Sequence, residues 1–571
     1  MIGLVATTRN GRRRAAHLAQ IWEDATLYGG KPSEALRSAW ADCDGIVIFL
    51  ATGAAVRLAA PLLADKRRDP GIVCVDDAAR YAVALAGGHA GGANELTARV
   101  GEALGAEPII TTASESLGLP ALDSLGEDLG FKVEEGSDLA GVGAVLVSGD
   151  TVRLVSESRW PTGPLPDNVV TKIEGASEEN GCEGATARIV ISDGLADEPG
   201  PGCVVYRPPS LVVGVGCSRG ASREEILGLV RSTLRGAGLS EKSVAALASA
   251  DVKADEPGLL KAASSLDVPV RFRSAEELSA FEVPNPSSVV EGAVGTPSVA
   301  EASVLAAGAE LLVEKEKSRA ATVAVGRLPV RGKLRLVSLG PGSDALIPPM
   351  AREALARSEI VVGLEQYVER VRHLLRPGTS IFTLPLGDEI ARCEKALAEA
   401  REGGSAALVS SGDVGIYAMA SPALELAGAD VDVEVIPGIT AAQAAASLLG
   451  SPLGHDHCSI SLSDLLTPWE IIEKRVGAAA MGDFVVSLYN PRSKGRDWQL
   501  GEVRSLLLEH RPPETPVGIV KNAYREDAEV TVTTLSALRP EDVDMLTVVV
   551  VGNSRTKLVA GRVVTPRGYL D

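Results

Sequence analysis

Short apolar runs rich in Val and Ile recur along the chain. Each is followed by an Ala/Leu/Glu-rich stretch whose apolar positions return at helical spacing. Examples are "GIVIFLA" (45–51), "GIVCVDD" (71–77), "LVVGVGC" (211–217), "TVAVGR" (322–327), "LRLVSLG" (334–340), "SAALVSS" (405–411), "DFVVSLY" (483–489) and "TVVVVGN" (547–553). An unbroken apolar run predicts a strand covered on both faces, and the stretches between predict the covering helices. The chain therefore reads as α/β throughout, with parallel or mixed sheets. Breaks in texture fall at "LGLPAL" near 118–122, at the Pro/Gly-rich "EPGPGCVVYRPP" (198–209) and at "GRLPVRGK" (326–333). They predict α/β units over 1–119, 120–207, 208–327 and 328–571, in keeping with the about three to five domains that the length suggests.

Composition narrows the picture. With 45% hydrophobic and 23% charged residues the chain has the make-up of an ordinary soluble protein, and aromatics at 3% leave the cores to Ala, Val, Leu and Ile. A net charge of -19 argues against a nucleic-acid partner, which would need a basic face. The basic stretches "RNGRRR" (9–14) and "DKRRDP" (65–70) could meet a small polyanion or simply be solvated surface. No basic-then-apolar leader opens the sequence and no run of about 18 apolar residues occurs, so neither export nor a membrane span is expected, and a cytoplasmic location is. The seven cysteines form no Cys-x-x-Cys pair, and the six histidines show no ligand spacing beyond His455 and His457. Reduced, mostly buried thiols and no metal site are expected.

In the rear part, "GPGSDA" (340–345) satisfies the dinucleotide pattern G-x-G-x-x-A. Pro341, however, removes a backbone donor where a pyrophosphate would need one, and Pro348 and Pro349 occupy the expected first helical turn. A nicotinamide-dependent reductase is thus the weaker reading. "ALVSSGDVGIYAMAS" (407–421) ends a buried strand in Gly412 and Asp413, where an acid can cap the next helix or meet a ligand's ammonium or hydroxyl. "VDVEVIPGITAAQAAASLLG" (431–450), "DFVVSLYNPRSKGR" (483–496) and "VVVVGNSRT" (548–556) repeat the strand-then-small-residue design.

Together with "SPLGHDHCSISLSDLLTPW" and "TPRGY", these motifs resemble the precorrin-3B/cobalt-factor III C-17 methyltransferases, of the class III tetrapyrrole methyltransferases, over about 333–571. The resemblance implies a two-lobed fold (about 333–453 and 454–571) holding S-adenosylmethionine between the lobes. It implies donor contacts from Gly340, Pro341, Gly342, Asp413, Ile416, Thr440, Ala441, Leu488, Gly552 and Asn553, all at carboxyl ends of predicted strands. Tyr489 and Asn490 would face the substrate. The implied reaction methylates C-17 of the macrocycle and contracts the ring, and methyl transfer by in-line displacement depends mostly on positioning. Ring contraction also needs proton transfer, for which His455, Asp456, Ser461, Ser463 and Asp464 are candidates, Ser463 and His455 first. The family's frequent Gly-Tyr is replaced here by Gly363-Leu364, a change of packing more than chemistry.

In the front part, "GGHAGGANELT" (87–97) places His89 among glycines ahead of a helix, where free amides could converge on an anion or carbonyl oxygen. With Arg57, the "DKRRDP" turn, "GVGCSRG" (214–220), "ADVKADEPGL" (250–259) and "GTPSVAEASVLAAGAELLVEK" (295–315), it resembles the cobalt-precorrin-5A hydrolases (cobalamin biosynthesis protein G) over about 1–327. That resemblance implies lactone opening with release of acetaldehyde, which needs a base to aim water and donors for an oxyanion. His89 is the candidate base, the Gly91 and Gly92 amides with Asn94 the donors, Glu301 a second acid/base, and Arg57 and Lys66 partners for substrate carboxylates. Cys217 sits in what reads as an anion-binding turn rather than as a nucleophile. The resulting expectation is a bifunctional enzyme of cobalamin biosynthesis, homodimeric through its rear part, with cobalt entering only as part of the substrate. The alternative is a methyltransferase carrying a non-catalytic tetrapyrrole-binding module in front.

Overall fold

A computed structural model describes residues 1–65, 68–88, 91–112, 117–173 and 185–569. Its strands form five main sheets and one small one. The front sheet is ordered Ala25–Tyr28, Ile2–Ala6, Gly45–Phe49, Gly71–Val75, Tyr81–Ala86, Glu107–Ile109. The first four strands are parallel; the last two run the other way. The carboxyl end of Tyr81–Ala86 therefore returns to the edge where Gly71 begins, bringing the glycine loop onto the turn before Gly71.

The second sheet runs Lys132–Val133, Cys203–Arg207, Ala187–Ile191, Val152–Ser156, Val169–Ile173, and the third Val270–Arg273, Val244–Ala250, Leu211–Cys217, Ala321–Arg327, Glu310–Lys317. Ion pairs tie these two together: Arg327 grips Asp193 through two nitrogens at 2.9 and 2.7 Å, and Glu134 accepts from Arg207 at 2.6 Å and Lys242 at 2.7 Å. The second unit also rests on the rear part. Arg159 reaches Glu359 at 2.7 Å, Glu399 at 3.2 Å and Glu402 at 3.5 Å, and Gly403 lies so close that a Cβ there would sit 2.4 Å from the Arg159 carbonyl oxygen.

The rear part has two lobes of opposite design. The first is an all-parallel sheet ordered Ser380–Thr383, Ile360–Gly363, Ser405–Ser410, Lys333–Ser338, Asp432–Ile436. The second is mixed, ordered His457–Ser461, Val485–Tyr489, Thr547–Val551, Pro516–Lys521, Glu529–Thr534, with Thr547–Val551 and Glu529–Thr534 reversed against the rest. Between the lobes runs helix Ala441–Leu449, favoured by its alanines and capped by Thr440 Oγ1, which accepts from Gln443 N at 3.2 Å. Its Leu449 packs on Gly518, where a Cβ would approach Leu449 Cδ1 to 2.2 Å, so that strand needs a residue without a side chain. The cores are aliphatic, as the composition implied. Leu334, Leu336, Leu408, Val486, Leu488 and Val549 have no exposure, and each such side chain contributes about 1.5–3 kcal/mol.

Candidate active-site cleft

Because the first lobe is parallel, all its strand carboxyl ends open on one edge, the edge where open α/β sheets take ligands. Gly340 and Gly412 bind each other there through paired backbone bonds of 3.1 and 2.8 Å. Both have left-handed φ (+65° and +71°), which suits glycine. Gly438 enters from the neighbouring strand; a Cβ there would lie 2.4 Å from Ser338 Cβ and 2.6 Å from the Gly412 carbonyl oxygen. The half-buried Asp413 ties the loops together, accepting from Gly415 N at 2.8 Å and Gly438 N at 2.9 Å. The helix after the glycine turn begins only at Pro349, beyond a short turn at Asp344–Leu346. The turn is therefore not the helix N-terminus that a pyrophosphate would need.

In the second lobe, Val485–Tyr489 and Pro516–Lys521 point the same way on either side of Thr547–Val551, so Tyr489-Asn490 and Asn522-Ala523-Tyr524 emerge on the same edge. Four contacts close the junction. Tyr417 donates its hydroxyl to Ser459 O at 2.8 Å, and its ring meets that of Tyr489 at 5.2 Å between centroids. Tyr489 Oη accepts from Ala442 N at 2.9 Å. A Cβ on Gly342 would lie 2.9 Å from the Ala523 carbonyl oxygen. Asn490, at φ +50°, donates to Ser461 Oγ at 3.1 Å, and Ser463 Oγ accepts from the buried Arg496 at 3.1 Å. Partial desolvation, then the neighbouring Tyr489, raise the Tyr417 phenol above its ordinary pKa.

Gly340, Pro341, Gly342, Asp413, Ile416, Thr440, Ala441, Tyr489, Asn490 and Ser463 thus follow strand ends on the edges that meet at this junction. Ile416 is exposed beside Tyr417, while the Leu488 side chain lies in the core and offers only its main chain. Gly552 and Asn553 do not join them. They end the reversed strand Thr547–Val551 and lie at the far edge of the sheet, where Asn553 Nδ2 donates to Asp483 O at 3.1 Å and the Gly552 carbonyl accepts from Arg511 at 2.7 Å. His455 is also at that far edge. It precedes His457–Ser461, whose first residues pair with Val485, and the strand's length separates it from Ser461 and Ser463. A strand's carboxyl end marks the cleft only if the strand points there. The place expected of Gly552 is taken by Ala523, in "KNAYRED" (521–527), which carries no recognisable motif.

At the front edge, His89 and Lys66 lie outside the described residues. Two of the nearby glycines serve backbone packing: a Cβ on Gly71 would sit 2.1 Å from Gly91 O, and one on Gly91 2.9 Å from Gly71 N. Gly91 N already donates to Gly87 O at 3.0 Å, so it is not the free oxyanion donor expected. Asn94 donates to Thr112 Oγ1 at 3.4 Å, and its Oδ1 is sealed from solvent without a partner among the described residues. Arg57 lies on the exposed face of Thr52–Ala59 and donates to Gly53 O at 3.2 Å. Glu301 is fully buried. Burial alone would raise its pKa, but bonds from Asn285 Nδ2 (2.8 Å), Asn285 N (3.2 Å) and Lys315 N (3.2 Å) prevail and hold it below the ordinary range. The donors that hold this carboxylate come from the chain itself, which weighs against the second acid/base role expected of it. The anion of the Cys217 turn is the chain's own: Gly220 N donates to Glu256 at 3.1 Å, and burial raises the Cys217 thiol pKa, against a nucleophile.

Comparison with known proteins bears on both parts. Residues 34–115, 120–208 and 211–326 match the N-terminal, central and C-terminal regions of cobalamin synthesis G, and 333–539 the tetrapyrrole (corrin/porphyrin) methylases. A Salmonella typhimurium protein named probable cobalt-factor III C(17)-methyltransferase is 48% identical over 242 residues, 41% of this chain and 99% of that one. The cobalt-factor III methyltransferase of Priestia megaterium is 45% identical over 247 residues, 42% of this chain and 46% of that one, so the chain spans under half of that relative's length. The crystal structure of the methyltransferase CobJ, 40% identical, covers 41% of this chain and 100% of its own with a TM-score of 0.39.

Proposed function

Since this chain belongs to the tetrapyrrole methylase family in its rear part and carries the cobalamin synthesis G regions in front, we propose that it is a bifunctional enzyme of corrin assembly. The rear part transfers a methyl group from S-adenosylmethionine to C-17 of cobalt-factor III, or of precorrin-3B, and promotes ring contraction. The front part opens the lactone of cobalt-precorrin-5A and releases acetaldehyde. The observation that carries the rear reading is the meeting of strand ends from both lobes, with Gly342 against Ala523 and Tyr417 against Tyr489.

The residues present suit the methyl donor. The crowded edge at Gly340, Gly412 and Gly438 brings main chain to the cleft surface, and Asp413 adds one half-buried carboxylate. Gly340, Pro341, Gly342, Asp413, Ile416, Thr440, Ala441 and the Leu488 main chain would hold the donor, which supplies an electrophilic methyl group when bound. Tyr489 and Asn490 line the macrocycle's side, and Ser463, fixed by Arg496, can donate or relay a proton there. In front, His89 remains the proposed base, with Asn94 orienting the substrate and Arg57 and Lys66 meeting its carboxylates. No described helix is long and apolar enough to cross a membrane, in keeping with the proposed cytoplasmic location. A homodimer through the rear part and no nucleic-acid partner complete the reading. Incubating the full chain with S-adenosylmethionine and cobalt-factor III should add one methyl group by mass spectrometry, and cobalt-precorrin-5A should yield acetaldehyde. No mass gain would refute the rear reading; methylation without acetaldehyde would make the front a binding module.

A further inference from the structure

Two arginines meet at the glycine turn from opposite lobes. Arg370 lies on helix Glu365–Val371 of the first lobe, Arg525 in the loop after Pro516–Lys521 of the second. Arg370 Nη2 donates to the Gly342 carbonyl at 2.8 Å, and a Cβ on Gly342 would lie 2.6 Å from Arg525 Cγ, so both side chains pack on one residue. Neither forms an ion pair with a carboxylate among the described residues. The acids close to Arg370 are engaged elsewhere, Glu369 with Arg372 and Asp344 with His373 at 2.6 Å. Near Arg525, Asp527 accepts from Asn522 Nδ2 at 2.6 Å. Arg370 Nη1 and Arg525 Nε are sealed from solvent with no hydrogen-bond partner.

Such an arrangement is unfavourable by itself, since an unmet buried donor is costly and adjacent like charges repel. Burial first, then the charge of Arg525, pulls the Arg370 pKa below its ordinary value. Some sequestered arginines are neutralised, Arg207 with Glu134 and Arg159 with three glutamates, while the buried Arg496 and Arg511 bind neutral oxygens instead and stand apart from any second unpaired guanidinium of the other lobe. Asp344 is near enough to act on Arg370 through space, yet no carboxylate among the described residues is hydrogen-bonded to either guanidinium. The geometry points to a carboxylate-binding subsite built from Arg370 and Arg525, completed by the ligand. Resting on the function proposed above, the ligand group is the α-carboxylate of the methyl donor or an acetate or propionate arm of the macrocycle. A guanidinium pair suits either, since each fork can take a carboxylate through two bonds.

The test titrates the full chain and its Arg370→Gln and Arg525→Gln variants with S-adenosylhomocysteine, decarboxylated S-adenosylmethionine and cobalt-factor III, with thermal unfolding to check folding. Each Gln variant should lose about tenfold or more in affinity for a carboxylate-bearing ligand. A loss for S-adenosylhomocysteine but not for the decarboxylated donor assigns the subsite to the methionine carboxylate. A loss for cobalt-factor III alone assigns it to the macrocycle. Equal losses for all three ligands mean general damage to the cleft and overturn the proposal, as do unchanged affinities in folded variants, which leave the methyltransferase reading intact. A wild-type chain that binds none of the three overturns both. Should a Gln variant unfold, the matching Lys variant decides: about threefold weaker carboxylate binding supports the subsite, because a lysine keeps the charge but loses the fork, and unchanged binding overturns it.

Discussion

The two lobes of the rear part are built from the same kinds of strand yet present their ends differently. In the first lobe every strand is parallel, so glycine-rich strand ends far apart in sequence, at 340, 412 and 438, gather on one edge. In the second, Thr547–Val551 is reversed between its neighbours, which sends Gly552 and Asn553 to one edge and Tyr489 and Ala523 to the other. A glycine after a valine run is therefore a guide to a ligand edge only when the direction of its strand is known. In the mixed lobe the same signal marks a structural corner as readily as a site.

That contrast can be broken or sharpened by substitution. The largest effect is expected for Gly438→Val, whose side chain must collide with Ser338 and the Gly412 backbone; donor binding and methyl transfer should fall about 100-fold or more in titration and turnover assays. Asp413→Asn keeps the shape but weakens two bonds from backbone amides to a charged acceptor, so S-adenosylhomocysteine affinity should drop about tenfold or more. Ser463→Ala should slow turnover roughly tenfold, whereas His455→Ala, at the far edge, should stay within about twofold. The reverse ranking would show that the far edge takes part in the reaction. Asn553→Ala should destabilise by about 1–3 kcal/mol in denaturant melts, with donor affinity unchanged.

The smallest effect, seen only on acidification, concerns Glu301, which shares Asp413's habit of accepting backbone amides but is sealed in the third unit. Its folded pKa is depressed, so the stability it confers is present above the ordinary carboxylate range and lost as pH falls through the depressed value. Glu301→Gln should melt lower at neutral pH but with a flatter dependence on acid.

Much of this was legible in the chain. The Val/Ile runs became strands, and "GPGS", "SSGD" and "IPGIT" found one another because a parallel sheet leaves them no other edge. What could not be read was strand direction and the purpose of individual glycines. Gly71 and Gly91 have to be small because two backbones touch there, which their sequence context does not show. Ala523 and Arg525 went unnoticed because their loop carries no motif and gains meaning only from the strand that delivers it. Glu301 looked chemical because an acid at the start of a helix often is; its three donors come from segments 14 and 16 residues away, which local sequence cannot show.

The clasp of Arg159 on Glu359, Glu399 and Glu402 bears on how the gene can be divided. A rear fragment severed near residue 328 would keep the three acids without Arg159, with Lys395 still on Glu399 at 2.6 Å, and burial already raises the Glu359 pKa with the arginine in place. Such a fragment would repel itself at that face and become sensitive to alkali. Excising this half would therefore take away a cation on which its own acids depend.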